Sequence, residues 1–330
     1  MDRRVCIGVL TGSLVAAWGS AAGQTAQRVY RVGILRRSVR PASAQDIQLT
    51  GLPTALRELG YSEGRNLVIE HRFAQGQLDR LPALARELVQ ARMDVIVAVS
   101  APAIRAVREA SAMTPIVMFG NFDPVALGFI PSLARPGGNV TGILIAPDGT
   151  LAGKRLELLT LMVPKTKRVA YLMMPPDDAS IRLQLEETRK AATLLGVELA
   201  EVEVRDFDYA RAFETLAARR PGALLVAGDT NFTRDRRLIV ELAAQHRLPA
   251  MYEWREHVTD GGLMAYSTSL PMLYQRLAAQ VDRILKGTKP GDLPVEQPMR
   301  FSLVINKTTA KALRLTVPQS LLLRADEVIE

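Results

Sequence analysis

The sequence predicts an α/β protein of two doubly wound lobes, each a parallel sheet with helices on both faces, behind a short leader. Three observations carry this. Short apolar runs rich in β-branched residues alternate with stretches of helical period. The alternation restarts at Arg168 with nearly the same spacing, so that Gly33 to Gly60 and Ala170 to Gly196 are closely matched intervals. The first 23 residues have a composition unlike the rest.

That opening segment carries Arg3 and Arg4, then an uncharged apolar stretch from Val5 to Trp18, then the small residues Ser20-Ala21-Ala22-Gly23. The order is that of a secretory signal peptide cut after Ala22 or Gly23. The stretch is shorter than the about 20 residues that span a bilayer. Cys6 precedes it and so cannot be the lipidated cysteine of a lipoprotein. The expected mature protein is exported and periplasmic.

The elements follow in order. Arg31 to Leu35 is a buried-strand signal, and the helix after it stops at Glu58-Leu59-Gly60, where glycine favours a helix end. Leu67 to Glu70 reads as a second strand. Leu78, Leu81, Leu84, Ala85 and Leu88 repeat at helical spacing. Asp94 to Val99 is a third strand, Ile104 to Ala112 a helix and Pro115 to Phe119 a fourth strand. The second half gives strands at Arg168 to Met173, Val197 to Val204, Ala223 to Ala227, Ala250 to Tyr252 and Met264 to Ser267. Helices are expected over Arg182 to Leu195, Arg211 to Arg219 and Pro271 to Lys286. A Pro-rich connection, a strand at Phe301 to Ile305 and a short helix at Thr308 to Leu313 close the chain.

Composition narrows the function. The 330 residues are 48% hydrophobic and 23% charged, an ordinary globular balance that excludes disorder. One cysteine excludes an internal disulfide framework and a cysteine-built metal site, and His71, His246 and His257 read as surface or locally bonded groups. The net charge is +8, but lysine and arginine are scattered with no run of five, so no nucleic-acid partner is expected. No dinucleotide fingerprint, P-loop, nucleophile elbow or zinc-protease motif is present, and no cofactor or metal is expected.

What remains is polar and aromatic residues at strand carboxyl ends, where open parallel sheets bind ligands. Candidate ligand-binding residues are Ser38 after the first strand, Ser100 and Ala101 after the third, and Asn121 and Asp123 after the fourth. In the second half they are Asp229, Asn231, Tyr252, Glu253 and Tyr266. Ser100 and the helix start behind it suit a carboxylate. Asp123, Asp229 or Glu253 suit an ammonium, and Tyr252, Tyr266, Phe122 and Trp254 suit a flat apolar body. Together they fit a zwitterion such as an amino acid. Taken singly, each acidic residue is equally a turn former or helix cap.

Five stretches carry a family resemblance: ELGYSEGRN from Glu58, SLARPGGNVTG from Ser132, DLPVEQP from Asp292, VINKTTAKAL from Val304 and RADEVI from Arg324. Over nearly the whole mature chain they resemble the tryptophan/tyrosine-type substrate-binding proteins of ABC transporters. The resemblance implies a type I periplasmic-binding-protein fold, with one lobe at 28–145 plus 268–298 and the other at 146–267 plus 299–330. It also implies lobes that close on a small solute by hinge motion, and a membrane permease and ATPase as partners. A monomer is expected. Two other readings share these features. A sensory module would present ligand to a membrane receptor. An exported α/β enzyme would need an acid/base pair, for which Asp123 with Asp229 or Glu253 are the candidates.

Overall fold

The computed structural model describes residues 28–146 and 149–330; the expected signal peptide at 1–23, with Cys6, lies outside them. The first part of the chain forms β1 (Tyr30–Arg36), α1 (Ile47–Glu58), β2 (Leu67–Phe73), α2 (Leu81–Gln90), β3 (Val95–Val99), α3 (Ala101–Ala110), β4 (Ile116–Gly120) and β5 (Val140–Leu144). The middle forms α4 (Thr150–Met162), β6 (Arg168–Met173), α5 (Ala179–Leu195), β7 (Glu198–Glu203), α6 (Tyr209–Ala218), β8 (Ala223–Val226), α7 (Thr230–Arg234) and α8 (Arg236–Gln245). The rest forms β9 (Ala250–Tyr252), α9 (Arg255–Thr259), β10 (Met264–Ser267), α10 (Leu270–Leu285), β11 (Ser302–Asn306), α11 (Lys307–Ala312), α12 (Gln319–Leu322) and β12 (Glu327–Ile329).

Local chemistry explains the boundaries. Helix α1 begins where Asp46 accepts the Gln48 amide at 2.9 Å, and α5 where Asp178 accepts the Ser180 amide at 2.7 Å. Helix α5 ends on Gly196, whose φ of 64° continues the chain in a conformation that side chains disfavour. Strand β3 is VIVAV with every residue buried, the continuous apolar run of a central parallel strand.

The strands form two sheets, ordered β2-β1-β3-β4-β5 and β12-β11-β10-β9-β8-β6-β7. The first is wholly parallel. The second departs from the expected parallel pattern, because β11 runs antiparallel to β10. The reason is the path between them. After β10 the chain leaves for α10, which buries Leu273, Leu277 and Val281 in the core under the first sheet, and β11 re-enters the second lobe from the opposite direction.

Several elements were not expected from the sequence. Strand β5 carries Thr141 and Gly142 among apolar residues, which masks it as a turn. It packs so tightly on β4 that a Cβ at Gly142 would lie 2.3 Å from the Met118 carbonyl oxygen. Strand β2 extends to Phe73, so His71 lies inside it, opposite Ile34 of β1. His257 lies in α9 and is buried against the Tyr252 ring at 4.9 Å.

Candidate functional site

The carboxyl ends of strands from both sheets face one cleft. The first lobe supplies Arg36, Arg37, Gln48, Ser100 and Asn121, and the second supplies Asp178, Asp229, Thr230 and Glu253. Phe119, Phe122, Ile145, Trp254 and Tyr274 form its apolar walls. Trp254 follows a second-lobe strand yet packs into the first lobe's core with Leu270 and Tyr274, so this wall joins the lobes.

Two buried charge clusters dominate the site. Arg37 reaches across to Asp229 at 2.9 Å, Asp177 at 3.5 Å and Asp178 at 3.6 Å. Burial works against the Arg37 charge, and the three aspartates more than offset it, so its pKa is raised. Burial likewise raises the Asp178 pKa, and Arg37 opposes that rise. The second cluster is Glu253, 3.4 Å from Arg155 and accepting from the Asn121 amide at 3.2 Å. Burial pushes Glu253 above the usual carboxylate range despite these partners. The Gly228 backbone packs against this carboxylate, so that a Cβ there would lie 2.7 Å from either oxygen. Gln184 holds the same loop, donating to the Gly228 carbonyl at 3.0 Å and accepting from its amide at 2.9 Å.

The lobes touch across the cleft mouth. Besides the Arg37 pairs, the Val39 amide donates to Asn231 Oδ1 at 3.2 Å, and Gln48 Nε2 donates to the Thr230 carbonyl at 2.8 Å. This is a closed arrangement.

Ser100 joins β3 to α3 with φ at 96°, a conformation that favours glycine, and its buried hydroxyl has no hydrogen-bond partner among the described residues. Strain of this kind concentrates at sites where a side chain must be held in one place.

Of the residues expected from sequence, Ser100, Asn121, Asp229 and Glu253 line the cleft. The others do not. Ser38 is fully buried and outside the lining. Ala101 opens α3 and faces a neighbouring groove. Asp123 is a turn former, accepting the amides of Val125 and Ala126 at 2.9 and 3.0 Å. Asn231 is buried and bonded to Val39 and to Asp229. The Tyr252 ring points into the second lobe's core, because side chains alternate along a strand and its neighbour Glu253 takes the cleft side. The Tyr266 ring lies tilted against Phe301 with centroids 6.0 Å apart, and only its carbonyl serves the site, accepting from Arg155 Nε at 2.8 Å.

Sequence reasoning missed Arg36, Arg37, Gln48, Arg155 and Asp178. The usable signal was the Arg36-Arg37 pair at the end of the first strand, where charge is unusual unless it serves a cleft. Among the described residues no group of three or more His, Cys, Asp or Glu could hold a metal ion, and no helix is long and apolar enough to cross a membrane.

Comparison with known proteins agrees with this architecture. The chain is similar to a tyrosine-binding protein of Clostridioides difficile (strain R20291), with 26% identity over 263 residues, covering 80% of this chain and 75% of the relative. Among solved structures, a conserved domain protein from Vibrio cholerae superposes with a TM-score of 0.79 at 26% identity, covering 91% of this chain and all of the other. The ABC domain in complex with L-Trp from Streptococcus pneumonia gives 0.77 at 25% identity, with the same coverage. An ABC transporter solute binding protein from Agrobacterium vitis with bound allitol, at 14% identity and 0.59, shares the fold alone, that of type I periplasmic binding proteins. Residues 39–329 match the family described as ABC transporter substrate binding protein. The chain therefore belongs to the family of ABC transporter substrate-binding proteins.

Proposed function

We propose that this protein is the periplasmic receptor of an uptake system and captures an aromatic amino acid, without chemistry, for delivery to a membrane permease and ATPase. The observation that carries the reading is the cleft itself. Buried arginines of the first lobe and buried carboxylates of the second lie around walls of Phe119, Phe122, Trp254 and Tyr274, and the lobes meet across it. Charges of both signs suit an ammonium and a carboxylate, and the aromatic walls suit a flat side chain. The relatives that bind tyrosine and L-Trp support the same class. Of the sequence-expected residues, Ser100, Asn121, Asp229 and Glu253 are the ones this reading retains as ligand contacts.

The test is calorimetric titration of the mature protein with L-tryptophan, L-tyrosine, L-phenylalanine and a set of aliphatic amino acids, beside native mass spectrometry of the protein as purified. The expected result is saturable binding of an aromatic amino acid and a retained ligand of matching mass. Binding confined to sugars or polyols overturns the amino-acid reading.

A further inference from the structure

We propose that Arg36 is the anion anchor of the cleft, and that the ligand carries a carboxylate held against its guanidinium. The inference rests on the reading of this cleft as the ligand site and goes beyond it by assigning the group that recognises one end of the ligand.

Arg36 is the last residue of β1 and is 2% exposed. Val32 and Ile34 pack into the core layer containing α1 and α10, and strand alternation sends Arg36 to that same layer. There it lines the cleft among Gln48, Phe119, Trp254 and Tyr274. Its register partner on β3 is Val99, and Ser100 follows directly, so the unpartnered Ser100 hydroxyl stands at the same rim.

The charge of Arg36 has no counterpart. Its Nη2 donates to the Gln48 backbone carbonyl at 2.9 Å, its Nε has no partner, and no carboxylate of the described residues forms an ion pair with it. The acidic groups nearby already face other cations. Asp229 and Asp178 face Arg37, Glu253 faces Arg155, and Asp46 caps α1 and meets Arg236 at 3.5 Å. Arg37 and Arg155, the other buried arginines here, each have a carboxylate.

A buried guanidinium without a counter-ion is unfavourable unless something supplies one. Its planar fork matches a carboxylate. The aromatic walls around it admit a flat apolar body rather than a hydrated inorganic anion. Gln48 Oε1 and Asn121 Oδ1, both buried and unpartnered, are acceptors left for the ligand's own N–H groups. A neutral sugar leaves Arg36 uncompensated; an aromatic acid bearing an amino group satisfies all three.

The experiment compares the wild-type protein with Arg36→Met and Arg36→Lys, titrated with L-tryptophan and L-tyrosine and with their amides, L-tryptophanamide and L-tyrosinamide. In the wild type the acid is expected to bind about a hundredfold more tightly than the amide. Arg36→Met should weaken the acid by a similar factor and bring acid and amide within a few-fold of each other; Arg36→Lys should recover part of the preference. The ligand-free Arg36→Met protein should melt no lower than wild type, because it loses an uncompensated charge.

An acid-to-amide ratio unchanged by Arg36→Met overturns the assignment and leaves the receptor reading intact. So does a Arg36→Met protein that melts well below wild type, which would mark the residue as structural. If neither amino acid binds the wild type, the amino-acid reading falls. The Arg36 assignment is then decided by native mass spectrometry of both proteins as purified. A retained compound with an acidic group, lost from Arg36→Met, supports it; a retained neutral or purely cationic compound, or none on either protein, overturns it.

Discussion

Arg37 of the first lobe stands 2.9 Å from Asp229 of the second, and the two side chains are 9% and 7% exposed. A charge-assisted hydrogen bond shielded this well is among the stronger polar contacts a protein makes. It exists only while the lobes are together, so it contributes to closure and not to the folding of either lobe. Asp229 also accepts the Asn231 amide at 2.7 Å to start α7. One side chain therefore couples the local shape of the second lobe to its contact with the first.

Asp229→Asn separates these roles. Asparagine caps a helix as well as aspartate does, so α7 is expected to survive. Arg37 keeps Asp178 at 3.6 Å but loses its best partner. The closed state should weaken by about 1–2 kcal/mol, lowering ligand affinity roughly tenfold. Small-angle scattering of the ligand-free variant should show a larger radius of gyration at an unchanged melting temperature. An unchanged radius and affinity would mean that the pair contributes nothing to closure.

Gly228→Ala tests the second cluster. The new methyl group would lie 2.7 Å from both Glu253 oxygens, closer than atoms pack, and Glu253 is held from behind by Arg155 and Asn121. Something must move, at about 1–3 kcal/mol. Chemical denaturation should show that loss, and titration should show weaker ligand binding. The double variant Gly228→Ala with Glu253→Gln should still be strained, because the clash is steric. Glu253→Gln alone should also lower stability, because it leaves the buried Arg155 guanidinium without its carboxylate.

The strands were readable from the sequence because central parallel strands are apolar on both faces, as VIVAV in β3 shows. Strand β5 escaped because its tight contact with β4 demands a glycine, which reads as a turn signal. At the site, Ser100, Asn121, Asp229 and Glu253 were reachable from the rule that strand ends bind ligands. Tyr252 and Asn231 obeyed that rule too and still failed to reach the cleft. One residue along a strand reverses the face, and a short polar side chain at a helix start is consumed by backbone amides. Arg36 and Arg37 are not legible as site residues, because arginine is ordinarily a surface residue and no sequence pattern reports that two lobes enclose it.

Acid should destabilise the protein through His257. Burial first, and the nearby arginines after it, push its pKa from 6.5 down to about 3. Its unfolded form therefore binds a proton at a pH where the native form does not. Stability from this group is fully present above pH 6.5 and is lost as the pH falls toward 3, at a limiting slope of about 1.4 kcal/mol per pH unit. Glu253 acts with the opposite sign. Its native pKa is raised, so it disfavours folding as the pH climbs past the ordinary carboxylate range. The difference between wild type and His257→Gln isolates the histidine. Denaturation at pH 7, 5.5 and 4.5 should show the two proteins converging as the pH falls, and parallel curves would remove the assignment.

Ser100 should trade stability against binding. Its φ of 96° costs a serine about 1 kcal/mol or more that a glycine avoids. Its buried hydroxyl has no partner to lose. Ser100→Gly is therefore expected to raise unfolding stability by about 1 kcal/mol, while Ser100→Ala, which keeps the strain, should leave it near wild type. If the hydroxyl meets the ligand at the rim shared with Arg36, both variants should bind about tenfold more weakly. The pair of variants separates the two effects: strain relief appears only in glycine, and loss of the hydroxyl appears in both. A glycine variant that binds as tightly as wild type would leave the strain at Ser100 without a ligand-binding purpose.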